Sequence, residues 1–290
     1  MEVRDGEFMR AENCMSNATC GEKSTIMLFF EELDAKIGNS FNSGDPEILQ
    51  WFLVKQNLVP FILCGCYAIF VKLIGPAIMK NKEPLKLRTP MIVFNLFLVV
   101  AYTITVFTVV TNLPRLGYDK FCMGTQVGND SLAYKLVRWM WFMYILKYVE
   151  FVDTLFFILR KKNHLVSNLH VIHHTVVPLL GWILLRTETS GFQTIPVLLN
   201  GVVHIIMYTY YGLAAIGPHM KKYLWWKKYL TILQMVQFVF IVLFVVVIAP
   251  LTGCSIVKSS LLIDALGGIV FFMLFYNFYV NNFNTKEKEV

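Results

Sequence analysis

Three histidines stand together in "LHVIHHTVVP", residues 169–178: His170, His173 and His174. Offsets of 0, 3 and 4 fall on one face of a helix, so the three imidazoles become neighbours at the start of an otherwise apolar segment. They are half of the chain's six histidines. Imidazole has two uses in such a place. It ligates a metal, or it acts itself as a nucleophile and proton carrier, being mostly neutral near neutral pH.

Three other apolar stretches carry polar groups at helical spacing. In "MWFMYILKYVEFVDTLFFILRKK", Lys147, Glu150 and Asp153 recur every three residues. Each charge at mid-membrane costs about 2.5–3.5 kcal/mol on insertion scales. The three are therefore expected to face a protein interior or a wet cavity and to pair there. The alternative is an ion-pair latch between helices. In "LLNGVVHIIMYTYYG", Asn200, His204, Tyr208 and Tyr211 share one face, and in "YLTILQMVQF" so do Thr231, Gln234 and Gln237. The last stripe fits plain interhelical hydrogen bonding as well as a site.

The di-iron sites of membrane desaturases and hydroxylases use more histidines than this chain has. His219 sits in the loop "GPHMKK" and His164 in "RKKNHL", which leaves four in apolar segments. Four could bind one zinc, but no acid lies close in sequence as an obvious base, and no metal is expected. No Cys or Ser lies within the polar stripes. If an acyl group is held covalently, imidazole is the best nucleophile left.

The elements that position these residues are membrane helices. Of 290 residues, 56% are hydrophobic and 16% charged, well below the charge of a soluble domain. Apolar runs of about 20 residues recur along the chain. Seven spans fit: 56–79, 90–111, 134–158, 169–186, 193–215, 229–249 and 260–281, the third and fifth failing a strict apolarity cut. The expected fold is an all-α polytopic membrane protein. Residues 1–50 form a lumenal segment, 51–282 the seven-helix domain and 283–290 a cytosolic tail. Within the first segment, 24–37 reads as a short interfacial amphipathic helix or a plain loop.

Basic residues set the orientation. Twelve lie in the loops after spans 1, 3 and 5: Lys72, Lys80, Lys82, Lys86, Arg88, Arg160, Lys161, Lys162, Lys221, Lys222, Lys227 and Lys228. Six lie on the other side, which puts the C-terminus in the cytosol and the N-terminus in the lumen. The glycosylation sequons at Asn17 and Asn129 both fall on the lumenal side. The tail "KEKEV" has the K-x-K-x-x pattern of an endoplasmic reticulum retrieval signal. Cys122 and Cys254 lie in two lumenal loops, where oxidation is permitted, and are expected to pair; Cys14 and Cys20 form a second candidate pair.

By helical rise, every polar stripe lies in the cytosolic half to middle of the membrane, beside the basic loops. A positive rim, a polar pocket and apolar walls match an amphipathic polyanion such as a fatty acyl-coenzyme A, its phosphates meeting Arg160, Lys161, Lys162, Lys221, Lys222, Lys227 and Lys228. Attraction to the membrane surface also explains basic loops. Nucleic acid is not an expected partner of such a chain.

"KYVEFVDT" resembles the K-x-x-E-x-x-D-T box of the eukaryotic fatty acid elongases, the ELO family. "LHVIHH" is similar to their H-x-x-H-H box, "NGVVHIIMYTYY" to N-x-x-x-H-x-x-M-Y-x-Y-Y and "TILQMVQF" to T-x-x-Q-x-x-Q. The resemblance implies a 3-oxoacyl-CoA synthase that joins a long-chain acyl-CoA to malonyl-CoA, releasing CO2 and CoA. It implies six helices around a narrow acyl tunnel and no cofactor. The expected mechanism is ping-pong, with His173 as acyl carrier, His204 as its assistant, His170 and His174 as orienting groups, Lys147, Glu150 and Asp153 as the supporting hydrogen-bonded network, and Gln234, Gln237 and Tyr208 as carbonyl binders. Spacing does not decide which histidine carries the acyl group. The reductases and dehydratase of the later steps and a second copy of the chain are the protein partners the resemblance suggests. Ser167, Asn168 and Ile172 depart from the common motif, which points to a difference in chain preference. A metal-dependent lipid hydroxylase and a seven-helix receptor or transporter are the rival readings. The three-histidine face argues against the latter.

Overall fold

The computed structural model describes residues 25–117, 122, 131–254 and 256–284. Asn17, Asn129, Cys14, Cys20 and the tail lysines lie outside them. The chain divides into two compact units, Met1–Ser40 and Phe41–Val290. In the first, α1 (Thr25–Ser40) is a full helix rather than a loop, with Ile26, Phe29 and Phe30 exposed.

The second unit is built on α2 (Val59–Met79), α3 (Arg88–Asn112), α4 (Ser131–Val149), α5 (Phe151–Leu159), α6 (Asn168–Thr187), α7 (Gly191–Ile216), α8 (Lys227–Thr252) and α9 (Lys258–Tyr279). Among the described residues there is no strand, and six helices are long and apolar enough to cross a membrane. The fifth expected span is one of them. The third, 134–158, is not: it is the pair α4 and α5, divided at Glu150. There the Asp153 N–H donates to the Glu150 carbonyl at 3.0 Å, a tightened i to i+3 turn inside an otherwise continuous rod. Short π segments at Phe70–Ile74 and Phe244–Ile248 precede Pro76 and Pro250, which have no N–H to continue the α ladder.

Neighbouring helices close a ring. In order around it, α3 packs on α4, α4 on α6, α6 on α9, α9 on α8, α8 on α7, and α7 along α3 again. α2 lies outside, against α6 and α5. The charged α4–α5 rod is a ring member with its polar face inward, as insertion cost demands. Small residues allow close approach. A Cβ on Gly268 of α9 would stand 2.8 Å from Val242 of α8.

The basic loops and the start of α6 share one end of the ring, where the Leu85 N–H donates to the carbonyl of Leu159. At the opposite end a disulfide joins Cys122 to Cys254. Residues 41–58 belong to this end, so the helical unit begins ten residues before the expected boundary. Side chains of α4 and α6 hold that segment by its carbonyls. Arg186 donates to Phe41 and Val54 at 2.8 and 2.7 Å, Tyr144 to Leu53, Trp141 to Phe52 and Trp182 to Gln56. Glu188, in the turn after α6, accepts from the backbone N–H groups of Ser190 and Val257. Burial holds its carboxyl above the usual carboxylate range.

Candidate active site

Glu150 is fully buried where α4 gives way to α5. Its Oε1 lies 3.2 Å from the Lys147 ammonium, one turn earlier. Lys147 Nζ also meets Tyr102 Oη of α3 at 2.9 Å and His204 Nε2 of α7 at 3.0 Å. Three N–H donors thus find three acceptors, the full capacity of an ammonium. Tyr102 in turn donates to Glu150 Oε1. The Asn200 carbonyl, 2.9 Å from His204 Nδ1, can only accept. Nδ1 therefore carries the ring hydrogen, and Nε2 offers its lone pair to Lys147.

The start of α6 supplies the other histidines. Ser167 caps the helix, its hydroxyl accepting from the His170 N–H at 3.2 Å. The next turn brings the three rings together, with His170 4.3 Å and His173 5.3 Å from His174 between ring centres. His173 stacks towards His204 at 6.2 Å, linking the two histidine-bearing helices. His174 Nδ1 lies 4.0 Å from Glu150 Oε2, and neither atom has a hydrogen-bond partner among the described residues. His170 Nε2 meets Thr154 Oγ1 at 2.7 Å, and Thr154 meets Tyr67 of α2 at 2.8 Å.

One cavity of about 170 Å³ opens inside the ring. Lys147, His173, Asn200 and Gln237 line it together with Tyr144 and Phe271. Most of the remaining wall is aliphatic, with Val177, Leu180, Leu184 and Ile241 prominent. Among the described residues, His173 is the histidine on this wall and Lys147 its cation. His170, His174, His204 and Glu150 stand behind them. Among the described residues no three His, Cys, Asp or Glu side chains converge as a metal-ligand set.

Four expectations change. Tyr208 is off the cavity wall: its hydroxyl is buried and donates to Asp153 at 2.9 Å. Gln234 also lies off the wall, its amide 3.6 Å from the Met207 sulfur. Tyr211 packs edge-on to Tyr208 rather than facing the cavity. Ile172, proposed to shape the acyl site, lies on the outside of α6 at 38% exposure, because the helix turns it away from the face of His170 and His173. Among the basic residues, Arg160 contacts the Met91 sulfur, Lys161 the carbonyl of Lys80, and Lys222 and Lys228 lie over the rings of Tyr223 and Tyr279. Lys162, Lys221 and Lys227 are exposed at the same end.

Sequence reasoning missed Tyr102 and Tyr67, and it quoted Thr154 within the K-x-x-E-x-x-D-T box without giving it a role. Each tyrosine is a single amphipathic residue in an apolar span, with no stripe to mark it.

Comparison with known proteins places the chain. Residues 52–290 match the profile of the ELO: GNS1/SUR4 family. Very long chain fatty acid elongase 7 of Rattus norvegicus is 36% identical over 251 residues, covering 86% of this chain and 89% of the relative. Very long chain fatty acid elongase 5 of the same species is 35% identical over 262 residues, 88% and 86% of the two chains. Its counterpart in Xenopus tropicalis is 37% identical over 242 residues, 83% and 81%. With the four polar boxes gathered around one cavity and this likeness spanning nearly the whole helical unit, the chain belongs to the ELO, or GNS1/SUR4, family.

Proposed function

We propose that the protein is a condensing enzyme of fatty acid elongation, a 3-oxoacyl-CoA synthase acting on long-chain acyl-CoA and malonyl-CoA. The observation that carries this reading is His173: an imidazole on the wall of an apolar cavity, backed by a buried, paired Lys147–Glu150–His204 cluster.

The reaction is ping-pong. A ring nitrogen of His173 attacks the thioester carbonyl carbon. The C–S bond breaks, and CoA leaves with the proton that the ring gives up. Malonyl-CoA then loses CO2, and the electron pair of that C–C bond becomes a thioester enolate. Its α-carbon attacks the acyl-imidazole, the C–N bond breaks, and the departing ring takes up one proton from water, which restores neutral His173. Charge builds on a carbonyl oxygen in both halves. Lys147 meets it as a fixed cation, its own N–H groups already committed, and Gln237 and Asn200 offer amide donors from the wall. Glu150 holds Lys147 in place. The His204 ring, held in one tautomer by Asn200, faces His173 and assists the transfer. The CoA moieties lie at the basic end, on Arg160, Lys161, Lys162 and Lys221, Lys222, Lys227, Lys228. That end is cytosolic, and the membrane that of the endoplasmic reticulum.

The test is an assay of purified protein with labelled malonyl-CoA and a panel of acyl-CoAs of increasing length. Label in a 3-oxoacyl-CoA two carbons longer than the primer is expected. Binding of acyl-CoA without incorporation of label from any primer contradicts the reading, as does activity that tracks stoichiometric iron.

A further inference from the structure

Behind one stretch of the cavity wall lies a second, smaller space. It measures about 10 Å³, room for a single water-sized group, and its accessible lining is apolar. Val106 and Val109 of α3, Trp139 of α4 and Leu198 of α7 line it. Met140 and Met143 of α4 and Val197 of α7 line both spaces, so they are the partition between them.

The methionines make this partition unlike the rest of the wall. The Thr194 hydroxyl donates to the Met140 sulfur at 3.3 Å, a bond to a weak acceptor. Gly201 of α7 gives the Met143 methyl its place, since a Cβ there would stand 2.8 Å from Met143 Cε. Methionine is unbranched, with three rotatable side-chain bonds, and refits itself to irregular space. A close-packed wall resists even one extra methylene. Here a thioether methyl can swing into the void and leave its own place to the substrate.

Depth identifies which part of a substrate meets the partition. Met143 and Met140 stand four and seven residues before Lys147, about 6 and 10 Å along α4 towards the disulfide end. An extended chain advances roughly 1.2 Å per bond. With the thioester beside His173 and Lys147, the methionines face roughly the fifth to ninth bonds of the acyl chain. We infer that Met140 and Met143 form a yielding partition, and that the site accepts acyl chains widened at this depth by a cis double bond or a methyl branch. The inference rests on the cavity being the acyl site, and it names a substrate class of that site.

The experiment measures kcat/KM in the same elongation assay for acyl-CoAs of one length. A straight saturated chain is compared with chains carrying one cis double bond, or one methyl branch, moved bond by bond along the chain. The widened-to-straight ratio is expected to peak between roughly the fifth and ninth bonds, about fivefold above its value on either side, the least that overpacking a close-packed wall costs. A peak in one series alone names the widening that fits. Val109→Ile adds one methyl to the void from a residue that does not line the cavity. It is expected to lower the peak to the level of its flanks while the straight chain is still elongated, because a straight chain does not displace the methionines. Met140→Leu, similar in volume but branched and stiffer, lowers the peak in the same direction. Each ratio is read within one preparation, so it does not depend on how much of a variant folds. A flat wild-type profile, a peak outside those bonds, or a peak that survives intact in both variants overturns the inference. Failure of the wild type to elongate any chain contradicts the proposed function instead, so the two failures are distinguishable.

Discussion

Lys147 is the residue on which the site's chemistry and its stability meet. Its ammonium satisfies Glu150, Tyr102 and His204 together in a buried setting. Removing one partner of such a pair leaves an uncompensated buried charge, which costs about 3–5 kcal/mol. Lys147→Met is expected to lower stability by that order and to abolish elongation. Thermal unfolding in detergent measures the first, and an unchanged melting temperature contradicts the account. The three-residue rhythm of Lys147, Glu150 and Asp153 made this cluster legible, because charge inside an apolar helix demands a partner. Tyr102 was not legible, since one tyrosine in "VVAYTITVF" carries no spacing signal. Tyr208 and Gln234 were legible as polar but not in role. Spacing says which helix face they share, not whether a neighbour such as Asp153 has already engaged them.

At the scale of elements, the helices follow hydropathy, and their breaks follow local chemistry. Pro76 and Pro250 mark the π segments. The division at Glu150 carries no proline or glycine signal, and the third span was accordingly read as one helix. The segment 41–58 was the least legible of all. It is fixed by its own backbone carbonyls, to which Arg186, Tyr144, Trp141 and Trp182 donate, and a carbonyl is the same in every sequence. Gly44 shows how tight the fit is. A Cβ there would stand 2.6 Å from the Arg186 carbonyl oxygen, to which the Gly44 N–H itself donates. Gly44→Val is expected to destabilise the protein by about 1–3 kcal/mol, the usual cost of overpacking. Limited proteolysis checks the site of the effect. Cleavage is expected to begin within 41–58, and cleavage confined to the opposite end of the bundle contradicts it.

For the whole molecule, ring closure turns polar stripes on separate helices into one cavity. Each stripe was readable alone, as was the basic end that they share. Which helices touch was not, because the order around the ring depends on shape. The cysteines in two connections far apart in sequence were a usable long-range signal, and they are bonded. The Cys122–Cys254 bridge closes a loop across 132 residues at the end away from the basic loops. Crosslinks of this kind stabilise by about 2–4 kcal/mol. The double variant Cys122→Ser, Cys254→Ser is expected to unfold at lower temperature by that order. Activity at low temperature should remain, since the bridge is remote from His173. Equal loss of activity with no change in unfolding runs against this assignment.

The acyl-imidazole is the central claim, and one measurement reaches it directly. Protein incubated with acyl-CoA alone, with malonyl-CoA withheld, is digested and examined by mass spectrometry. The account predicts an acyl adduct on His173, absent in His173→Ala and discharged when malonyl-CoA is added. An unmodified His173 in protein that turns over once malonyl-CoA is supplied contradicts it.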